Sequence, residues 1–172
     1  MTREELPKRF GAGKRVLVVN DTQEILELFT DILEGLGFET VVMSYAPREL
    51  EQVRMTEPDL IILDFIFGSR ELAGWQLLQK IRMDAALQDL PVIVCTAAVR
   101  EVLEQQGYLT EQGVLVVLKP FTISQLEESL ERATRIADSP ERLASRRKMR
   151  QRRKRGEASA PERSGDGVRQ DA

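Results

Sequence analysis

Five residues of this chain could do chemistry together: Asn20, Asp21, Asp64, Thr96 and Lys119. Each follows a short apolar run. Val16-Leu17-Val18-Val19 leads into Asn20-Asp21, Leu60-Ile61-Ile62-Leu63 into Asp64, Val92-Ile93-Val94-Cys95 into Thr96, and Val114 to Leu118 into Lys119. Two carboxylates make a hard-oxygen site of the kind Mg²⁺ accepts, because that ion binds through one or two carboxylates and keeps waters for phosphate oxygens. A lysine adds positive charge and a threonine adds a hydroxyl donor. Phosphoryl transfer needs little beyond positioning and charge neutralisation. A carboxylate can also be the nucleophile and form an aspartyl phosphate. Each residue has a plainer role taken singly: a helix cap for Asp21 or Thr96, a surface lysine for Lys119, a polar strand end for Asp64. Their repetition at successive strand ends is what favours a site.

The elements that must position them alternate. Strands are expected at 15–19, 39–43, 60–63, 91–95 and 114–118, because short β-rich apolar runs bounded by turn residues read as strands. Between and after them lie helical patterns. Ile25, Leu26, Phe29, Ile32, Leu33 and Leu36 carry the first, capped by Asp21 or Thr22 and stopped by Gly35 and Gly37. Pro47 suits the first turn of the second, with Leu50, Val53 and Met55. Trp75, Leu77, Leu78 and Ile81 carry the third, and Trp75 and Phe67 read as packing residues. The fourth spans 99–106 and weakens at Gly107, and Ile123, Leu126, Leu130 and Ala133 carry the fifth. Five strand-helix units imply an α/β fold, a doubly wound parallel sheet covered on both faces. The order 2-1-3-4-5, flavodoxin-like (βα)₅, is expected for this size, and it brings the strand ends to one crevice.

Composition narrows the options. The 172 residues are 42% hydrophobic and 31% charged, which suits one globular domain with some tail. Without a single histidine, the chain cannot build a His-based triad or a histidine metal site. Cys95 is the only cysteine and lies in an apolar run, so it reads as a small core residue. No membrane-spanning stretch or secretory leader is evident, and a cytoplasmic protein is expected. Gly11-Ala12-Gly13-Lys14 lacks the spacing and the hydroxyl residue of a phosphate loop, and it precedes a strand. Charge is divided unevenly. From Ala137 onward 11 Lys and Arg face 6 Asp and Glu, which leaves −8 for residues 1–136 of the net −3. The expected organisation is a flexible leader at 1–13, a domain at 14–136 and a basic, disordered tail at 137–172 that lacks the apolar residues to bury a face.

With these motifs in order, the chain resembles a two-component response-regulator receiver domain of the stand-alone, chemotaxis-regulator type. The resemblance covers about residues 14–134 and rests on Val18-Val19-Asn20-Asp21, Ile61-Ile62-Leu63-Asp64, Val94-Cys95-Thr96-Ala97 and Leu118-Lys119-Pro120-Phe121. It implies that Asp64 accepts a phosphoryl group from a histidine kinase or phosphotransfer protein. It also implies Mg²⁺ held by Asp21, Asp64 and the backbone carbonyl of Ile66, with Asn20 acting through water. Thr96 and Lys119 would follow the phosphoryl group, and the Lys119-Pro120 bond would be cis. Output would pass to an unknown protein through the fourth helix, fifth strand and fifth helix.

Three positions depart from the family pattern. Asn20 stands where an acid is usual, which predicts weaker Mg²⁺ binding. Val116 stands where a switch aromatic is usual. The loop 65–74 is long, lacks the customary proline and places the bulky Ile66 beside the acceptor, from which a slowly decaying phosphoryl group is expected. Ile66 also stands where a haloacid-dehalogenase nucleophile motif would need a second aspartate, which argues against that class. The contrasting reading is a degenerate receiver, an adaptor that binds partners without phosphorylation. In either case the stretch Arg146 to Arg155 could contact a polyanion. It contains no aromatic residue for base stacking.

Overall fold

The computed structural model describes residues 9–68 and 72–156. Five strands, β1 (Arg15–Val19), β2 (Glu39–Met43), β3 (Leu60–Leu63), β4 (Val92–Thr96) and β5 (Leu115–Leu118), form one parallel sheet of order β2-β1-β3-β4-β5. The expected fold class and strand order are therefore observed. Side chains of successive strand residues point to opposite faces, and both faces are buried. Val16, Val18, Leu60, Ile62, Ile93 and Cys95 point one way, toward α1 (Gln23–Gly35) and α6 (Ile123–Ala137). Leu17, Val19, Ile61, Leu63, Val92 and Val94 point the other way. They meet α2 (Leu50–Thr56), α3 (Ala73–Met83), α4 (Val99–Glu104) and α5 (Gln106–Glu111).

Local details differ from the sequence reading. Thr22 occupies the N-cap of α1 but makes no side-chain cap bond. Helix α2 starts at Leu50, after Pro47, because Glu49 is the extended residue before it. The single helix expected at 99–106 is two short ones that break at Gln105 and run on through Gly107. Thr122 caps α6 with a reciprocal pair: its side chain accepts from Gln125 N–H at 3.2 Å, and Gln125 Oε1 accepts from Thr122 N–H at 2.8 Å.

Both expected ends are partly structured. Residues 1–8 lie outside the described residues. Phe10, assigned to the flexible leader, stacks edge-on against Phe38 at 5.6 Å, and Gly11 N–H donates to Leu36 O at 3.1 Å. In the expected tail, residues 140–154 form α7 (Pro140–Lys154). Pro140 begins this helix, where its missing N–H is no loss. Ser139 Oγ accepts from Arg142 N–H at 3.4 Å, and its carbonyl accepts from Leu143 N–H at 3.0 Å. The helix docks through arginines rather than an apolar stripe. Arg142 is buried and Arg146 pairs with Asp59, so a search for apolar periodicity passes over it. The rest of that tail, 157–172, lies outside the described residues.

Candidate phosphoryl site at the carboxyl edge of the sheet

Strand register brings the chemical residues together. Val19 pairs with Leu63, Leu63 with Val94 and Thr96 with Leu118, so β1, β3, β4 and β5 end side by side. Asp64 N–H donates to Val19 O at 3.3 Å and Lys119 N–H to Thr96 O at 2.9 Å, which continues the ladder into the site. Asn20, Asp64, Thr96 and Lys119 all meet there. The Lys119-Pro120 bond is cis, as the resemblance implies.

Asp64 is the centre. Its Oδ1 accepts from Thr96 Oγ1 at 2.6 Å and from Ile66 N–H at 3.3 Å. Its Oδ2 accepts from Lys119 Nζ at 2.8 Å and from Asn20 Nδ2 at 3.4 Å. Each oxygen thus has two donors, and the cation sits on one side only. Ala98 N–H donates to Thr96 Oγ1 at 3.2 Å, which fills an acceptor position on the hydroxyl and leaves its proton for Asp64. Thr96 is buried, whereas the Asp64 side chain keeps 13% of its surface in solvent and Lys119 keeps 20%. The carboxylate is therefore held from within and open from above.

Asp21 stands at the rim. Its Oδ2 accepts from Gly68 N–H at 2.6 Å. Gly68 has φ +61°, a left-handed conformation that suits glycine, and it turns that N–H toward Asp21. Asn20 Oδ1 accepts from Thr22 N–H at 2.9 Å, so its amide nitrogen faces Asp64. Where an acid at position 20 would repel Asp64, the asparagine donates to it. Among the described residues no group of three or more His, Cys, Asp or Glu side chains could enclose a metal ion. The available set is two carboxylates plus backbone oxygens, which are hard donors. That set fits Mg²⁺, which keeps much of its water.

Other features escape sequence reading. Gly74 packs on the backbone of Asp64 itself: a Cβ there would lie 1.6 Å from Asp64 O. Gly74 N–H also donates to Phe65 O at 3.2 Å, so α3 begins against the peptide that carries the carboxylate. In the sequence, a glycine closing the loop 65–74 gives no sign of this. Trp75 and Phe67 pack as expected. Phe67 is buried, and Trp75 bridges Phe65 (5.4 Å) and Tyr108 (5.2 Å) edge-on. Val116 is half-buried against the same apolar cluster. The Ile66 side chain also packs partly against that cluster, and its N–H reaches Asp64. Ser69, Arg70 and Glu71 of the long loop lie outside the described residues.

Cys95 adjoins the site in sequence but points into the α1/α6 face. Burial, reinforced by the charge of Asp64 and opposed by Lys119, pushes its thiol up to about 12. It is protonated at neutral pH and is not a nucleophile.

Comparisons with known proteins point to one family. The sequence model for the "Response regulator receiver domain" family matches residues 16–131. The heme response regulator HssR of Staphylococcus saprophyticus is 34% identical over 112 residues, covering 64% of this chain and 46% of that protein. The DNA-binding response regulator MtrA of Mycolicibacterium smegmatis is 31% identical over 133 residues, covering 77% of this chain and 56% of MtrA. The chain thus spans about half the length of the curated relatives it matches. A crystal structure described as a sensor protein from Polaromonas sp. JS666 superposes with a TM-score of 0.63 at 28% identity, covering 73% of this chain and 98% of that one.

Proposed function

The chain belongs to the response-regulator receiver family of two-component signalling, and on that premise we propose that Asp64 is its phosphoryl acceptor. The convergence of Thr96 and Lys119 on the two oxygens of Asp64, at 2.6 and 2.8 Å, carries this reading. The donor is the phosphohistidine of a histidine kinase or phosphotransfer protein. A carboxylate oxygen of Asp64 attacks phosphorus, the phosphorus–nitrogen bond breaks, and the imidazole leaves. Negative charge then moves from the carboxylate onto the phosphoryl oxygens. Lys119 and Thr96 follow it outward, since the acyl phosphate no longer offers two charged oxygens at their present positions. Asp21, Asp64 and the carbonyl of Ile66 would hold Mg²⁺, with Asn20 acting through water. When bound, the ion neutralises charge on the phosphoryl oxygens. Asn20 lowers the negative charge of the site and with it the affinity for the ion.

Output passes to a protein partner through α4, β5 and α6. Val99, Leu103, Leu118 and Ile123 are exposed on these elements and offer an apolar docking surface. Val116 cannot relay a ring movement from Thr96, so this surface changes less than in a receiver with an aromatic there. We take 14–136 as the signalling unit, with α7 as an appendage. Arg147, Lys148, Arg150, Lys154 and Arg155 are exposed on or just beyond α7 and are free to contact a polyanion; Arg146, counted with them in the sequence, is engaged by Asp59. Among the described residues no helix is long and apolar enough to cross a membrane. A cytoplasmic setting goes with this reading.

The Asn20 amide donating to Asp64 favours one other reading, an adaptor that works unphosphorylated. Intact mass after incubation with acetyl phosphate and Mg²⁺ decides between them. One added phosphoryl group on the wild type and none on Asp64→Asn is the expected result. No adduct, together with failure to bind beryllofluoride, would leave the adaptor.

A further inference from the structure

At the amino edge of the sheet, remote from Asp64, lies a cleft of about 350 Å³. Its walls are the turns before β4 and β5, the end of α6 and the start of α7. Two arginines line it, Arg82 from α3 and Arg142 from α7. Arg142 is only 6% exposed, yet its Nε is buried with no hydrogen-bond partner. Arg82 is anchored by Nη1, which donates to Leu90 O at 2.8 Å and to Gln88 O at 3.2 Å, and its Nε is likewise buried without a partner. A buried donor left unmade is costly, and both belong to guanidinium groups whose side chains line the cleft.

The electrostatics point the same way. Burial lowers the pKa of both guanidinium groups. For Arg142, the attraction of Asp89 and Asp59 is countered by the repulsion of Arg146 and Arg82. The two carboxylates at the cleft, Asp89 and Glu141, are exposed at its rim. They limit the net charge, which suits a compact anion rather than an extended polyanion. Two guanidinium forks from different elements line one cleft, and the several oxygens of a tetrahedral oxyanion can accept from both.

We propose that this cleft is an anion site that takes a phosphate-class oxyanion between Arg82 and Arg142 and so fastens α7 to the turns before β4 and β5. The group could be free inorganic phosphate or the phosphate of a monoester, and the cleft's open side leaves room for a substituent. The site is independent of the phosphoryl chemistry at Asp64.

The test is a titration of the full chain without Mg²⁺, followed by the ¹⁵N Nε–Hε resonances of the two arginines. Their signals are identified with Arg82→Gln and Arg142→Gln. Inorganic phosphate and methyl phosphate are compared with chloride at matched ionic strength. Saturable shifts of both resonances with phosphate are expected. Equal binding of methyl phosphate would mark a phosphomonoester site, and preference for phosphate a free-ion site. Arg142→Gln should weaken binding at least tenfold, and Asp64→Asn should leave it unchanged. Asp89→Asn, which removes a rim charge but leaves the Arg146–Asp59 pair that holds α7, should tighten it about threefold and keeps the test open if Arg142→Gln fails to fold. Shifts without saturation, the same response to chloride, or an Asp89→Asn affinity equal to wild type would overturn the proposal.

Discussion

Two carboxylates bracket β3, Asp59 just before it and Asp64 just after it, and they live in opposite circumstances. Asp59 accepts from Arg15 N–H at 2.8 Å and pairs with Arg146, and its side chain keeps 5% of its surface exposed. Asp64 has more donors but remains reachable from solvent, since only one of its partners, Lys119, is a cation and none covers it from above. Asp59 is sealed by a helix folded over it, while Asp64 is supported from below by strand ends. If Asp64 is the phosphoryl acceptor we propose, what sets it apart is access on one side with the neutralising groups free to follow a new charge, and not burial and pairing.

The contrast can be broken most severely through Gly74. Replacing it with alanine puts a methyl group onto the Asp64 carbonyl, which the adjoining backbone cannot yield without moving α3. We expect Gly74→Ala to destabilise the chain by about 3 kcal/mol or more, as an overpacked backbone contact does, and to abolish phosphorylation. Chemical denaturation and the acetyl phosphate assay check this. Wild-type behaviour in both would mean that the close approach of α3 is not needed.

A second experiment sets the two aspartates against each other. Asp59→Asn takes the charge from a carboxylate only 5% exposed that holds both Arg15 N–H and Arg146, and should cost about 3 kcal/mol. Asp64→Asn leaves Lys119 able to turn to water and should change stability by less than about 1 kcal/mol while removing the phosphoryl adduct. Equal losses in urea denaturation would refute the division into a structural and a reactive carboxylate.

The effect that vanishes at neutral pH concerns the residue beside the site that does no chemistry. The Cys95 thiol, held near 12 in the folded chain against an ordinary 9.0, favours folding as long as the unfolded thiol is protonated. Above pH 9 the unfolded state loses its proton first and the folded state binds more, so stability falls as pH rises. Between pH 9 and 12 this contributes a loss of about 1.4 kcal/mol per unit that Cys95→Ala should lack. Parallel pH profiles for the two proteins would show that Cys95 is not buried as described.

Much was legible in the residues themselves. Apolar runs of β-rich composition alternating with helical stripes determined the parallel sheet, because both faces of such a sheet must be covered and the crossovers have one hand. Polar residues closing those runs determined the edge at which Asn20, Asp64, Thr96 and Lys119 meet, and Asp21 stands at its rim. Contacts that depend on approach rather than on pattern were decided only by the tertiary structure. Gly74 is required because α3 comes within contact of the Asp64 backbone, and no spacing in the chain announces that distance. Helix α7 is anchored by Arg146, whose partner Asp59 lies 87 residues away, and by the burial of Arg142 beside the turns before β4 and β5. A basic run looks like a solvated tail until a buried carboxylate is found to receive it. Periodicity records which face a segment hides, whereas pairing across the sheet and packing against a peptide arise only when distant segments are folded together.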